Sequence, residues 1–284
     1  MPVRDFFCSL HHNILTKEIL AEHDNLLPQA YKKACPMFKL SRAIAKNTQS
    51  PIIMFPLDYM AEAEAMGYIV KGYDDNFGLR GAGPIVENTA ELALLPAIDF
   101  SSGRIKQILK AIELAQTSIY VPCLSISGFV TVADTLLSLN RVCTSWRNQK
   151  NELFSFWQRY AEELLNYSKL AQKAGAKIIS YSDPMAAASI LGPKWSKEIV
   201  QEIVAPFLKK LLENTKSGVI HLCGKTSYVL EDAGLAKLKE IALPQTMGYQ
   251  KAVTAQIQKK PVMLGHGCLN NNKQTKTLTE IIPL

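Results

Sequence analysis

Apolar positions along this chain follow two rhythms that alternate. Short continuous or period-two apolar runs read as buried strands; longer stretches with apolar positions three and four apart read as amphipathic helices. Residues 1–47 carry the helical rhythm in Ile14, Leu15, Ile19 and Leu20, then in Ala30, Ala34, Met37, Phe38, Leu40 and Ile44, with Pro28 and Pro36 interrupting it. This predicts an amino-terminal helical arm. Its adjacent His11 and His12 cannot share a helix face and are read as surface residues. From Pro51 onward strand-like runs lie at 51–58, 68–70, 118–124, 177–183, 218–223 and 262–264, with weaker ones at 245–250 and 278–282. Helical spacing fills the intervals at 103–116, 130–139, 152–174, 195–208 around Pro206, 228–242 and 252–258. The segment 74–78 and the Gly81, Gly83, Pro84 stretch read as loops.

Alternating strands and helices predict a parallel sheet with helical crossovers. Polar residues stand just past the strands: Asp58, Ser125, Asp183, His221 and Cys268. In a (β/α)8 barrel those strand ends share one rim, where active sites sit. The expected architecture is a (β/α)8 TIM barrel over residues 48–284 with the helical arm 1–47 in front. A doubly wound open sheet is the alternative, disfavoured because no Gly-x-Gly-x-x-Gly turn follows an early strand. An Asp in the place of Asp58 can act at a site or can cap the next helix, and both readings stand.

Composition narrows the picture modestly. Of 284 residues, 48% are hydrophobic and 20% charged, which is ordinary for a globular protein. The net charge of +7 is spread over short doublets, without a basic stripe interleaved with aromatics, so nucleic acid is not an expected partner. No apolar run reaches the length of a membrane helix and the amino terminus lacks the apolar core of a signal peptide, giving an expected cytoplasmic location. The six cysteines have no close regular spacing, and in a reducing setting they are thiols or metal ligands. Cys123 is read as a packed thiol.

The stretch with the most chemistry runs from Gly218 to Thr226. His221 and Cys223, two apart on a strand, project to one face. An imidazole and a thiolate are good zinc ligands, and Cys268, past a later apolar run, is the candidate third. Three protein ligands with an open position is the catalytic zinc pattern. The plain alternative is that these cysteines merely pack.

Five segments then stand in a familiar order: 55–58 with 61–67 (Phe-Pro-Leu-Asp and Ala-Glu-Ala-Glu-Ala-Met-Gly), 127–133, 174–186, 218–224, and Gly265-His-Gly-Cys-Leu269. Together they resemble the uroporphyrinogen decarboxylase superfamily, and within it the methylcobamide:coenzyme M and related corrinoid methyltransferases. The resemblance implies the (β/α)8 barrel and a Zn2+ held by His221, Cys223 and Cys268. It also implies site roles for Asp58 and Asp183 as catalytic residues and for Ser127 and Gly128 as cofactor-binding ones. The implied reaction carries a methyl group from a methylcobamide on a partner corrinoid protein to a zinc-activated small thiol such as coenzyme M. A metal-free decarboxylase and a non-catalytic module that binds a corrinoid protein are the alternatives. The decarboxylase's Arg-Gln-Ala-Gly-Arg-Tyr motif has no counterpart in residues 1–50, where Arg80 and Arg104 would have to serve as the carboxylate-binding arginines from outside that region. One departure stands out: the interval from Cys223 to Cys268 is short by about one βα unit. Either a unit is abbreviated, or Gly265-His266 belongs to the preceding motif, which would make His266 a competing ligand.

Overall fold

The computed structural model describes residues 6, 15–74, 78–258 and 260–284; His11 and His12, and residues 75–77 of the expected loop, lie outside them. Nine strands are present among these: β1 (Ile52–Phe55), β2 (Val70–Asp74), β3 (Gly78–Gly81), β4 (Val121–Ser127), β5 (Ile178–Ser182), β6 (Val219–Cys223), β7 (Ala236–Gly248), β8 (Val262–Gly267) and β9 (Gln274–Pro283). Seven form one sheet in the order β1-β4-β5-β6-β8-β9-β7, while β2 and β3 form a separate antiparallel pair. The first five strands of that order run parallel, as the alternating pattern requires. β9 then runs antiparallel to both β8 and β7. β1 and β7 are the two ends of this ladder, so among the described strands the sheet is open.

The period of two assigns each strand residue to a face. Ile53, Leu124, Ile179, Ile220 and Met263 share one face and enter the main core. Helices cover this face, among them α1 (Ala34–Asn47), α2 (Gly103–Ala115), α3 (Phe129–Leu137) and α4 (Lys150–Lys173). Trp157, Tyr160 and Tyr167 of α4 are wholly buried there. α1 of the expected arm joins the same core through Ala34 and Met37, and its first N–H donates to Gln107 Oε1 of α2 at 3.2 Å. Ile52, Cys123, Ile178, Val219 and Leu264 point to the opposite face, where Tyr249, Ala252 and Val253 pack on them. Cys123 is thus a packed thiol, raised by burial far above the usual thiol range.

Between Cys223 and Cys268 the chain departs from the expected pattern. The helix expected over 228–242 is instead α5 (Gly224–Asp232), followed by the 13 residues of β7. Leu235, Leu238, Ile241 and Ala242 imitate helical spacing, but Gly234 takes φ +71° and ends the helix. Beyond it the sequence alternates, and Lys239 stands directly opposite Glu280 of β9 with their charged groups 3.2 Å apart. The interval that looked one βα unit short therefore holds a helix, a long strand and the short α6 (Tyr249–Thr254). The run at 68–70 is likewise the start of the small hairpin and not a member of the main sheet. Just before Pro206 the helix passes through a π turn, Val200–Val204, closed by the Ala205 N–H on the Val200 carbonyl. No helix among the described residues is long and apolar enough to cross a membrane.

Candidate functional site

His221 is the centre of a closed chain of hydroxyls. It lies on β6 beside Ser180 of β5, its direct partner in register. Its Nδ1 is 3.2 Å from Ser180 Oγ and its Nε2 is 3.2 Å from the Tyr249 hydroxyl. That hydroxyl donates to the Gly265 carbonyl at 3.3 Å, so it has only a lone pair to offer the imidazole. The consistent assignment places the ring proton on Nε2, donating to Tyr249, and leaves Nδ1 to accept from Ser180. Only 1% of His221 is exposed, and burial pushes its pKa down to about 3, which keeps the ring neutral.

Cys223 closes β6 and is the residue from which α5 starts. Its sulfur lies 3.5 Å from Thr226 Oγ1, and the same oxygen accepts the Asp183 N–H at 3.1 Å. Asp183 itself is buried, with 1% exposure. Its carboxylate accepts from the N–H groups of Val130 and Thr131 at 3.2 and 2.9 Å, from Thr131 Oγ1 at 2.8 Å and from the Tyr181 hydroxyl at 3.2 Å. It therefore caps the first turn of α3 from another strand. A Cβ on Gly128 would fall 2.2 Å from the Asp183 Cβ, so glycine there admits the carboxylate to the helix end. Gly128 and Asp183, expected at the site, thus form one structural joint.

Asp58 makes a local turn just before the helix at 61–65 and an ion pair. One carboxylate oxygen accepts the Met60 N–H at 2.9 Å and the other meets Arg104 Nη2. Arg104 Nη1 lies 2.9 Å from Glu64 Oε2. Arg104 is buried, which draws its pKa down to about 10, and both its terminal nitrogens are committed. Ser127 is 5% exposed; its hydroxyl donates to the Tyr59 carbonyl at 2.9 Å, and its N–H donates to Glu62 Oε1 at 3.2 Å. Glu62 is buried, its other oxygen has no hydrogen-bond partner, and desolvation lifts its pKa to about 7. No local pattern marks Glu62, Ser180, Thr226 or Tyr249 as anything but core; they acquire meaning only from their partners across the sheet.

Cys268 follows β8 in a turn in which its carbonyl accepts the Asn271 N–H at 3.1 Å. Its thiol is close enough to Tyr249 to help hold that phenol above its usual range, behind the larger effect of burial. Cys223 is opposite Gly267 in register, one residue before Cys268. The His-x-Cys pair and the distant cysteine therefore arrive at the same end of adjacent parallel strands. His266 turns elsewhere: its ring lies 4.6 Å from that of Tyr228 and its Nε2 lies 3.2 Å from Glu231 Oε2, both on α5.

A metal ion does not fit these residues as they stand. Both imidazole nitrogens of His221 are engaged, and among the described residues no three His, Cys, Asp or Glu side chains gather in a metal-holding group.

Known proteins align with this chain over most of its length. The profile of the uroporphyrinogen decarboxylase (URO-D) family matches residues 13–267. The methylcobamide:CoM methyltransferase MtaA of Methanosarcina barkeri strain Fusaro is 25% identical over 230 residues, covering 78% of this chain and 65% of the relative. The methylcobamide:CoM methyltransferase MtbA of Methanosarcina mazei is 24% identical over 233 residues, covering 79% of this chain and 67% of the relative. A solved methyltransferase from Methanosarcina mazei shares the fold with a TM-score of 0.64 at 23% identity, over 76% of this chain and 64% of that one. The chain thus spans less than two thirds of the MtaA relative and of the solved structure.

Proposed function

Since the chain belongs to the uroporphyrinogen decarboxylase family, we propose that it is a methyltransferase that moves a methyl group from a corrinoid, carried on a partner protein, to a small thiol such as coenzyme M. The relatives named above lend the reading its reaction class. The single observation that supports it is the backbone register that sets Cys223 of the His-x-Cys pair opposite Gly267, the residue before Cys268. His221, Cys223 and Cys268 are the proposed site residues, and the sheet is read as a variant of the (β/α)8 barrel in which β9 and β7 replace regular units. Asp58, Asp183, Ser127 and Gly128 serve as its frame. Thr226 Oγ1 accepts the Asp183 N–H and lies 3.5 Å from Cys223 Sγ, which ties the sulfur to the same joint. Zinc is not written into the reaction, because the ligand set in its present arrangement does not accept it.

The decarboxylase alternative needs an arginine free to grip a substrate carboxylate, and Arg104, one of its two candidates, commits both terminal nitrogens to Asp58 and Glu64. The test is methyl transfer from free methylcobalamin to a panel of thiols, followed by the loss of the cobalt–carbon absorption. Turnover with at least one thiol, abolished in Cys223→Ala, is the expected result. A folded protein that consumes no methylcobalamin with any thiol overturns the proposal.

A further inference from the structure

The ring of Phe6 is seated on the backbone of the residue that follows Cys223. A Cβ on Gly224 would fall 2.3 Å from Phe6 Cδ2 and 2.4 Å from its Cγ. Gly224 opens α5 without a left-handed φ, so no turn requires a glycine here. What requires it is the close approach of the phenyl ring. Phe6 and Cys223 are both half-buried, whereas Gly224 between them is buried. The ring therefore stands at the border between the carboxyl end of β6 and solvent.

Helical spacing puts Gly224, Tyr228 and Glu231 on one face of α5. Phe6 meets Tyr228 on that face, with ring centroids 6.0 Å apart at 58°. Tyr228 in turn lies 4.6 Å from the ring of His266, whose Nε2 lies 3.2 Å from Glu231. Phe6, Tyr228 and His266 thus make an aromatic row from the end of β6 to the end of β8. Those are the ends that carry Cys223 and lead to Cys268. A phenyl ring forms no strong hydrogen bond, so what Phe6 brings to this border is bulk.

Resting on the reading that Cys223 belongs to the methyl-transfer site, we propose that Phe6 is a specificity-determining residue: it walls the α5 flank of that site and limits the size of the thiol that reaches Cys223. Small aliphatic thiols pass the ring, and thiols with branched or aromatic bodies meet it. The wall acts by volume where it stands and needs no rearrangement.

The test reads access to Cys223 without any turnover. The full chain is labelled with methylmaleimide and, separately, with pyrenylmaleimide, which carry the same reactive group on bodies of different size. Peptide mass spectrometry gives the rate at each cysteine, with exposed Cys35 as the reference and buried Cys123 as the sign of unfolding. In Phe6→Ala the bulky-to-small rate ratio at Cys223 is expected to rise about fivefold, the factor that one aromatic contact contributes. The ratio at Cys35 stays as in the parent. An unchanged ratio at Cys223 in a folded Phe6→Ala overturns the wall, even if methyl transfer has been observed. So does a parent chain in which Cys223 is no more size-selective than Cys35. A raised ratio without methyl transfer to any thiol supports the wall and overturns the reaction instead. Should Cys123 become reactive in Phe6→Ala, Phe6→Leu decides, because it narrows the side chain and keeps it apolar. A ratio raised at Cys223 alone then supports the wall, and no rise overturns it.

Discussion

Glu62→Gln should remove a penalty on stability that grows with pH. Glu62 is 1% exposed; Oε1 accepts the Ser127 N–H, while Oε2 has no hydrogen-bond partner among the described residues. Burial lifts its pKa from 4.5 to about 7. The folded-state value is raised, so across the interval between the two values the folded protein holds a proton that the unfolded chain has released. The stability linked to this proton is fully present below pH 4.5 and is lost as pH rises through 7. At about 1.4 kcal/mol per unit the whole loss is about 3 kcal/mol, of which about 2.5 kcal/mol falls between pH 5 and pH 8. The glutamine keeps an acceptor for Ser127 and cannot ionise. Its amide donors add a buried, partnerless group at a cost of about 1–3 kcal/mol, but that cost does not depend on pH. Urea unfolding of both proteins at half-unit steps from pH 5 to pH 8 isolates the difference. The variant should gain on the parent by about 2.5 kcal/mol over that range. A gap that stays constant with pH would refute the assignment of a protonated, buried Glu62.

Two further outcomes follow from the same geometry. His221, with its pKa drawn down to about 3, should show imidazole resonances that do not titrate between pH 5 and pH 8, with Nε2 protonated by nitrogen chemical shift. Because this folded-state value is depressed, its contribution to stability is lost as pH falls below about 6.5, where the unfolded chain takes up the proton. A ring that titrates near 6.5 in the folded protein would contradict the hydroxyl chain around it. Gly128→Ala forces a methyl group against the Asp183 carboxylate and should lower stability by roughly 1–3 kcal/mol in chemical denaturation; an unchanged midpoint would show that the joint between α3 and β5 is looser than described.

The parallel strands were legible because each is a short apolar run bounded by turns; of the polar residues expected just past them, Asp58, Asp183 and Cys268 do follow β1, β5 and β8, while Ser125 and His221 lie inside β4 and β6. β6 and β8 carry His221, Cys223 and Cys268 to neighbouring ends on that basis alone. The stretch after Asp232 was not legible: Leu235, Leu238 and Ile241 satisfy a helical template, and what makes β7 a strand is its pairing with β9, more than thirty residues later. The roles of individual carboxylates were hidden for a related reason. Asp183 looks like a rim acid in sequence, but whether an acid is free or is spent on a helix end depends on Gly128 and Thr131 arriving from another strand. The local turn at Asp58 was readable, because Met60 is only two residues away; its ion pair with Arg104 spans 46 residues and left no local trace. Tyr249 was the least visible of all. A single aromatic residue after a glycine has no periodicity, and it counts only because the chain folds back on His221.

The reversed strand β9 has a consequence for how the molecule is put together. It lies between β7 and β8 in space yet follows both in the chain, so β7 has no neighbour to ladder with until residues 274–283 exist. A nascent chain that has emerged only as far as Asn271 would already own five side-by-side strands and the two cysteines, with β7 still unattached. A nick or premature stop within β9 would therefore strand β7 while leaving the older part of the sheet, with α6 packed on it and tied to the turn at 269–273, standing.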